Sequence, residues 1–155
     1  MSRSSTPPTT TQTPPPHDLI THFDRMPFHQ YLGLHLVEAR PGYGQIVLRK
    51  HPDTPMGIGG SVHGGVLAAM VDIVMLVALF AEPPVDKTPA GTADLGITYL
   101  RQAQGEVIYA TAKVIKNGRQ LASVEVDITD QDGNLCARGR TLYAYRPGAT
   151  QSDLQ

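Results

Sequence analysis

The chain has 155 residues, a length that supports one domain core and not comfortably two. Its 41% apolar content points to a globular fold, and a net charge of -1 gives no electrostatic case for nucleic acid or a membrane surface as partner. The lone cysteine, Cys136, excludes an internal disulfide and fits a cytoplasmic location.

Residues 1–16 (MSRSSTPPTTTQTPPP) hold almost nothing a core could bury, so they read as a disordered Pro/Thr-rich tail, with a proline-rich ligand as the other reading. No signal peptide is visible in this polar stretch. One folded domain is expected over 17–147, followed by a flexible C-terminus over 148–155, and no internal repeat is present.

Asp18 stands as N-cap of a short helix through Leu19, Ile20, Phe23 and Met26, ended near Pro27. Leu32–Ala39 and Tyr43–Arg49 read as strands turned by Arg40-Pro41-Gly42, and His51–Val62 as a loop rich in Gly and Pro. The apolar run Val66–Ala81 reads as a long helix. Beyond Pro83-Pro84 the pattern changes to strands: Ala93, Leu95, Ile97 and Tyr99 alternate with more polar neighbours, then come Val107–Ile115, Leu121–Thr129 and Leu135–Tyr145. Ala122, Val124, Val126 and Ile128 should share a buried face, with Ser123, Glu125 and Asp127 opposite. Asn117-Gly118 and Asp132-Gly133 mark hairpins. Two strands, a long helix and four strands predict an α+β fold, one antiparallel sheet packed on a central helix.

Between Val66 and Ala81 the sole charge is Asp72. Without a polar face the helix should be buried on all sides. A membrane span is disfavoured by its shortness, its central acid and the amphipathic strands after it. A carboxylate among apolar side chains costs several kcal/mol unless paired, which marks Asp72 as a candidate functional group; the other reading is an acid that only ties down its neighbours. Gly64 and Gly65 open the helix, where free N–H groups and the helix dipole favour negative charge. They form either an oxyanion hole or a close packing of the helix start on the sheet. Eight residues separate Gly64 from Asp72, roughly 12 Å along a helix, beyond the reach of one carbonyl. A site using both requires two copies of the chain, with antiparallel helices at a two-fold interface.

His63-Gly64-Gly65, then Asp72, then Gly91-Thr92-Ala93-Asp94 leading to Ile97-Thr98-Tyr99 resembles the hotdog-fold acyl-CoA thioesterases of the PaaI type. Asn117-Gly118-Arg119 and Asp130-Gln131-Asp132-Gly133 fall where that family has its last hairpins, and the resemblance spans about Phe28 to Tyr145. It implies hydrolysis of a coenzyme A thioester by a homodimer or homotetramer, with coenzyme A present only as part of the substrate and no separate cofactor. Asp72 matches the catalytic carboxylate, as general base or as nucleophile. Gly64 matches the amide that polarises the carbonyl, and Thr92 a hydroxyl that places the carboxylate or water. His63 either orients the carbonyl and loop or is structural. Many members carry an asparagine six residues before the histidine; here that position is Gly57, with Ser61 as a substitute donor nearby. Coenzyme A phosphates need cations, and Arg101, Lys116 and Arg119 are the candidates, ahead of Arg138 and Arg140, which share a strand face.

No HExxH, cysteine pair, P-loop, dinucleotide fingerprint or complete nucleophile elbow is present, so no metal site is expected. Two other readings stand beside the hydrolase: a hotdog module that binds acyl-CoA without turnover, and a hydratase or dehydratase acting on the acyl chain.

Overall fold

The computed structural model describes residues 18–148, so the tail expected over 1–16 and the C-terminus beyond Gly148 lie outside the described residues. The chain runs through α1 (Asp18–His22), α2 (Pro27–Leu32), β1 (Leu34–Arg40), β2 (Tyr43–Arg49), α3 (Gly64–Phe80), β3 (Lys87–Tyr99), β4 (Val107–Asn117), β5 (Leu121–Asp130) and β6 (Leu135–Pro147). The six strands form one sheet in the order β1-β2-β4-β5-β6-β3. All five pairings are antiparallel. This is the expected α+β arrangement, a sheet wrapped on one long helix.

The start of the chain departs from expectation. One helix ending at Pro27 is replaced by α1, a 3-10 turn over Phe23–Arg25, and α2, which begins at Pro27. Proline suits a first helical position, where the missing N–H has no intrahelical partner to lose. Asp18 accordingly lies in the first turn of α1. Leu32 ends α2, and β1 begins only after Gly33, whose φ of 74° provides the left-handed C-cap.

Ala122, Val124, Val126 and Ile128 of β5 are all buried against α3, as their alternation requires. Helix and sheet approach closely because two strand positions carry no side chain. A Cβ on Gly44 would lie 2.8 Å from Val77, and one on Gly139 2.6 Å from Val71. Phe80, Tyr143 and Tyr145 close the far end of the core with edge-on ring contacts.

Burial of α3 on all sides does not hold. Gly65, Ala68, Ala69, Asp72 and Leu76 are each partly or fully exposed. They recur every three or four residues, so they form one stripe along the helix. The apolar residues on the rest of α3 meet the sheet; among the described residues nothing fully buries this stripe.

Strand β3 occupies a sheet edge and is bulged. Thr92 faces Tyr143 of β6, yet Asp94 faces Leu142, so one extra residue enters between them. Ala93, expected on the inward face, is exposed at this bulge. Thr92 takes the inward place instead. Downstream, Leu95, Ile97 and Tyr99 oppose Thr141, Gly139 and Ala137, so the expected alternation resumes. Among the described residues, no helix is long and apolar enough to cross a membrane.

Candidate active site

Asp72 lies on the partly exposed stripe of α3, where its Oδ1 accepts a hydrogen bond of 2.7 Å from Thr92 Oγ1. The carboxylate is therefore oriented from outside its own helix. Seven residues separate Thr92 from Tyr99, and a regular strand would turn them to opposite faces. The bulge after Thr92 brings both to the helix side. Tyr143, opposite Thr92 on β6, also adjoins the site: burial first, then the Asp72 charge, raises its hydroxyl above the ordinary tyrosine pKa.

The start of α3 is capped with specific partners. Gly65 N–H donates to His63 Nδ1 at 2.9 Å, which makes His63 the N-cap side chain. Val66 and Leu67 N–H both donate to the His63 carbonyl. The Gly64 N–H is left without a protein acceptor among the described residues. A free N–H at a helix start is a donor for developing negative charge.

Both readings of Gly64 have a structural counterpart. A Cβ there would come within 3.2 Å of the Tyr99 ring, so glycine permits close packing on β3. Tyr99, which sequence reasoning did not single out, also donates its hydroxyl to the Gly64 carbonyl at 2.6 Å. Its sequence signals are its place in the inward alternation of β3 and at the end of the Ile97-Thr98-Tyr99 likeness, neither of which assigns it a role.

Gly64 and Tyr99 line an open cleft of about 500 Å³ together with His63, Gly57, Ser61 and Arg101. The walls also include Ile58, Leu67 and Leu100, so apolar surface adjoins the free N–H. The 57–61 segment is a small hairpin held by Gly57 N–H donating to Ser61 O at 2.7 Å and by a Met56–Val62 bridge. Position 57 thus faces the cleft with no side-chain donor. Ser61 does not substitute, because its hydroxyl donates to the Ile58 carbonyl at 2.7 Å and it has only one proton to give.

The candidate cations are not brought together within one chain. Arg101 follows Tyr99 at the Gly64 end and lines the cleft. Lys116 and Arg119 lie at the β4–β5 hairpin, and Asn117 shares a row with Ala122, Tyr143 and Thr92. They therefore sit toward the Asp72 end, three strands from β3. Spacing along the chain gave no sign of this, because sheet order separates β4 from β3. Arg138 and Arg140 are engaged in ion pairs with Asp127 at 2.7 Å and Asp94 at 3.0 Å. Among the described residues, no three His, Cys, Asp or Glu side chains converge as metal ligands.

Residues 59–137 match the model of the thioesterase superfamily. Human acyl-coenzyme A thioesterase 13 is 36% identical over 116 residues, covering 73% of this chain and 81% of that protein. The crystal structure of zebrafish thioesterase superfamily member 2 aligns with a TM-score of 0.69 at 28% identity, over 85% of this chain and 99% of that one. A mutant of the phenylacetic acid degradation protein PaaI from Thermus thermophilus shares the fold, with a TM-score of 0.66 at 23% identity over 77% of this chain and 98% of that one. The sheet, the helix start and these likenesses agree: the chain belongs to the thioesterase superfamily and is a thioester hydrolase of the hotdog fold.

Proposed function

We propose that the protein hydrolyses acyl-coenzyme A thioesters at a site shared by two copies of the chain. The observation that carries this reading is the Thr92–Asp72 hydrogen bond on the uncovered stripe of α3. A carboxylate held there by a neighbouring hydroxyl is aimed at whatever covers the stripe. Escherichia coli YigI, a relative 26% identical over 76% of this chain, is named a medium/long-chain acyl-CoA thioesterase, in keeping with that substrate class.

In this reading the thioester carbonyl points at the Gly64 N–H of one copy, and Asp72 comes from the other. Roughly 12 Å of helix separates the two groups within a chain, so neither copy can supply both. The unpaired edge of β3, thirteen residues long, and the stripe of α3 support pairing of copies through this side. As general base, Asp72 takes a proton from water while the water oxygen bonds to the carbonyl carbon. The carbonyl electron pair moves onto oxygen, toward the Gly64 N–H. The intermediate then expels the coenzyme A sulfur, which leaves with a proton as the thiol, and the acid remains. As nucleophile, Asp72 would bond to the carbon and expel the coenzyme A thiolate, giving an anhydride that water opens to the free acid and the Asp72 carboxylate. Arg101 beside the cleft, with Lys116 and Arg119 of the other copy, are the proposed phosphate contacts. His63 serves as the cap that orients the helix start.

A mixing experiment tests the shared site. Asp72→Asn removes the carboxylate and Gly64→Pro, at the first helical position, removes the N–H, so each chain alone should be inactive. Co-refolded in equal amounts, they should regain about a quarter of wild-type activity, since half of randomly paired dimers contain one intact site. A site contained in one chain gives no recovery. Binding of acyl-CoA by wild type without release of thiol would remove the hydrolytic reading of this site.

A further inference from the structure

We infer that Tyr99 is a positioning residue for the oxyanion donor, so that strand β3 fixes both halves of the catalytic apparatus: Asp72 through Thr92, and Gly64 through Tyr99. The inference rests on the reading of Gly64 as that donor and adds what holds it in place.

Gly64-Gly65 is the most deformable dipeptide a helix start can have. Each glycine costs about 1 kcal/mol relative to alanine in backbone order, and first-turn N–H groups have no intrahelical acceptor to restrain them. A donor on such a segment would wander, and misplacement of a catalytic group by about 1 Å can cost on the order of a hundredfold in rate. Three contacts limit that movement here. His63 grips the following amide through Nδ1. The His63 carbonyl accepts from Val66 and Leu67. Tyr99 contributes the third, reaching from the sheet with its hydroxyl 2.6 Å from the Gly64 carbonyl.

The Tyr99 ring supports the same residue from the side. Its Cε1, Cζ and Oη atoms all come within 3.3 Å of the place a Gly64 side chain would fill. The ring covers one face of the Gly64 backbone while the N–H stays open to the cleft that the ring also lines. Tyr99 itself is 51% exposed, so core filling does not account for its placement. The Gly64 carbonyl and the Gly64 N–H belong to different peptide units. Tyr99 therefore acts on the donor by fixing its orientation, not by polarising it.

The test compares wild type, Tyr99→Phe and Tyr99→Leu with decanoyl-CoA. Phenylalanine keeps the ring and removes only the hydroxyl. Its kcat should fall about fivefold to tenfold, with KM within twofold and the thermal midpoint close to wild type; leucine should fall further. A loss confined to KM, or to thermal stability with kcat intact, overturns the role. Infrared spectra supply a second readout. Decanoyl-CoA labelled with carbon-13 at the carbonyl is bound to Asp72→Asn, which blocks turnover. The carbonyl band should shift to lower frequency than in free substrate, and adding Tyr99→Phe should move it back or broaden it. A shift that Tyr99→Phe leaves unchanged overturns the role of Tyr99 alone. Absence of any shift with Gly64 intact removes the oxyanion reading and the positioning role with it.

Discussion

Thr92 and Asp72 are twenty residues apart in sequence and joined by a 2.7 Å hydrogen bond between an edge strand and the central helix. The hydroxyl donates, so one carboxylate oxygen is held and the other is left for chemistry. Replacing Thr92 by valine keeps shape and removes the donor. A hydrogen bond to a charged group contributes about 1.5–3 kcal/mol, so kcat should fall about tenfold or more while the fold persists. Thr92→Ser should restore most of the rate. Steady-state thiol release from an acyl-CoA by the three proteins checks the order.

Gly57 faces the cleft with room beside it. A Cβ there meets Ser61 Oγ at 3.3 Å, which a small shift of the serine relieves, and His63 Cα at 3.4 Å, an ordinary contact. Its φ of -100° suits any residue. Gly57→Asn should therefore fold and place a side-chain amide beside the Gly64 N–H. The expected outcome is a kcat raised severalfold with an unchanged thermal midpoint. A fall in rate would show that the cleft needs this space for substrate.

His29 makes stability depend on pH. It is buried against Phe23, with ring centroids 4.1 Å apart, and its Nδ1–H donates to the Phe23 carbonyl at 2.8 Å. Desolvation lowers its pKa from 6.5, outweighing the opposing pull of that carbonyl and of Asp24. A lowered folded-state pKa favours the neutral ring. Its contribution is complete above the unfolded value and is lost as pH falls below about 6.5 toward the folded value. His29→Gln should lose roughly 1 kcal/mol at pH 7. The gap to wild type should narrow at pH 5, and thermal melts of both proteins at the two pH values measure it.

Periodicity revealed most of the fold because β4, β5 and β6 each turn one face to the core and one away from it. Ala122–Ile128 alternates without interruption between buried and more exposed positions, as its sequence does. Pro27 misled because proline both ends and begins helices, and local sequence does not separate the two roles. The Ala93 bulge was hidden because an inserted residue looks like any other until its partner strand is known. Asp72, Gly64, Thr92 and His63 stood out through charge, glycine spacing and family likeness. Tyr99 did not, since its role lies in a contact across 35 residues of sequence. The separation of Arg101 from Lys116 and Arg119 was equally invisible, because it is a property of strand order.

Ala93, the extra residue of the β3 bulge, lets an odd spacing put Thr92 and Tyr99 on one face. Its side chain is exposed, so exchanging it for serine should leave both activity and assembly intact. Deleting it leaves Thr92 six residues before Tyr99, the spacing at which a regular strand turns both to one face, so Thr92 should stay on Asp72 and Tyr99 on Gly64. Turnover kept on both changes would show that the site needs the shared face of Thr92 and Tyr99 and not the bulge itself. The bulge thus marks a point where the strand can change length by one residue without parting its two grips on the helix.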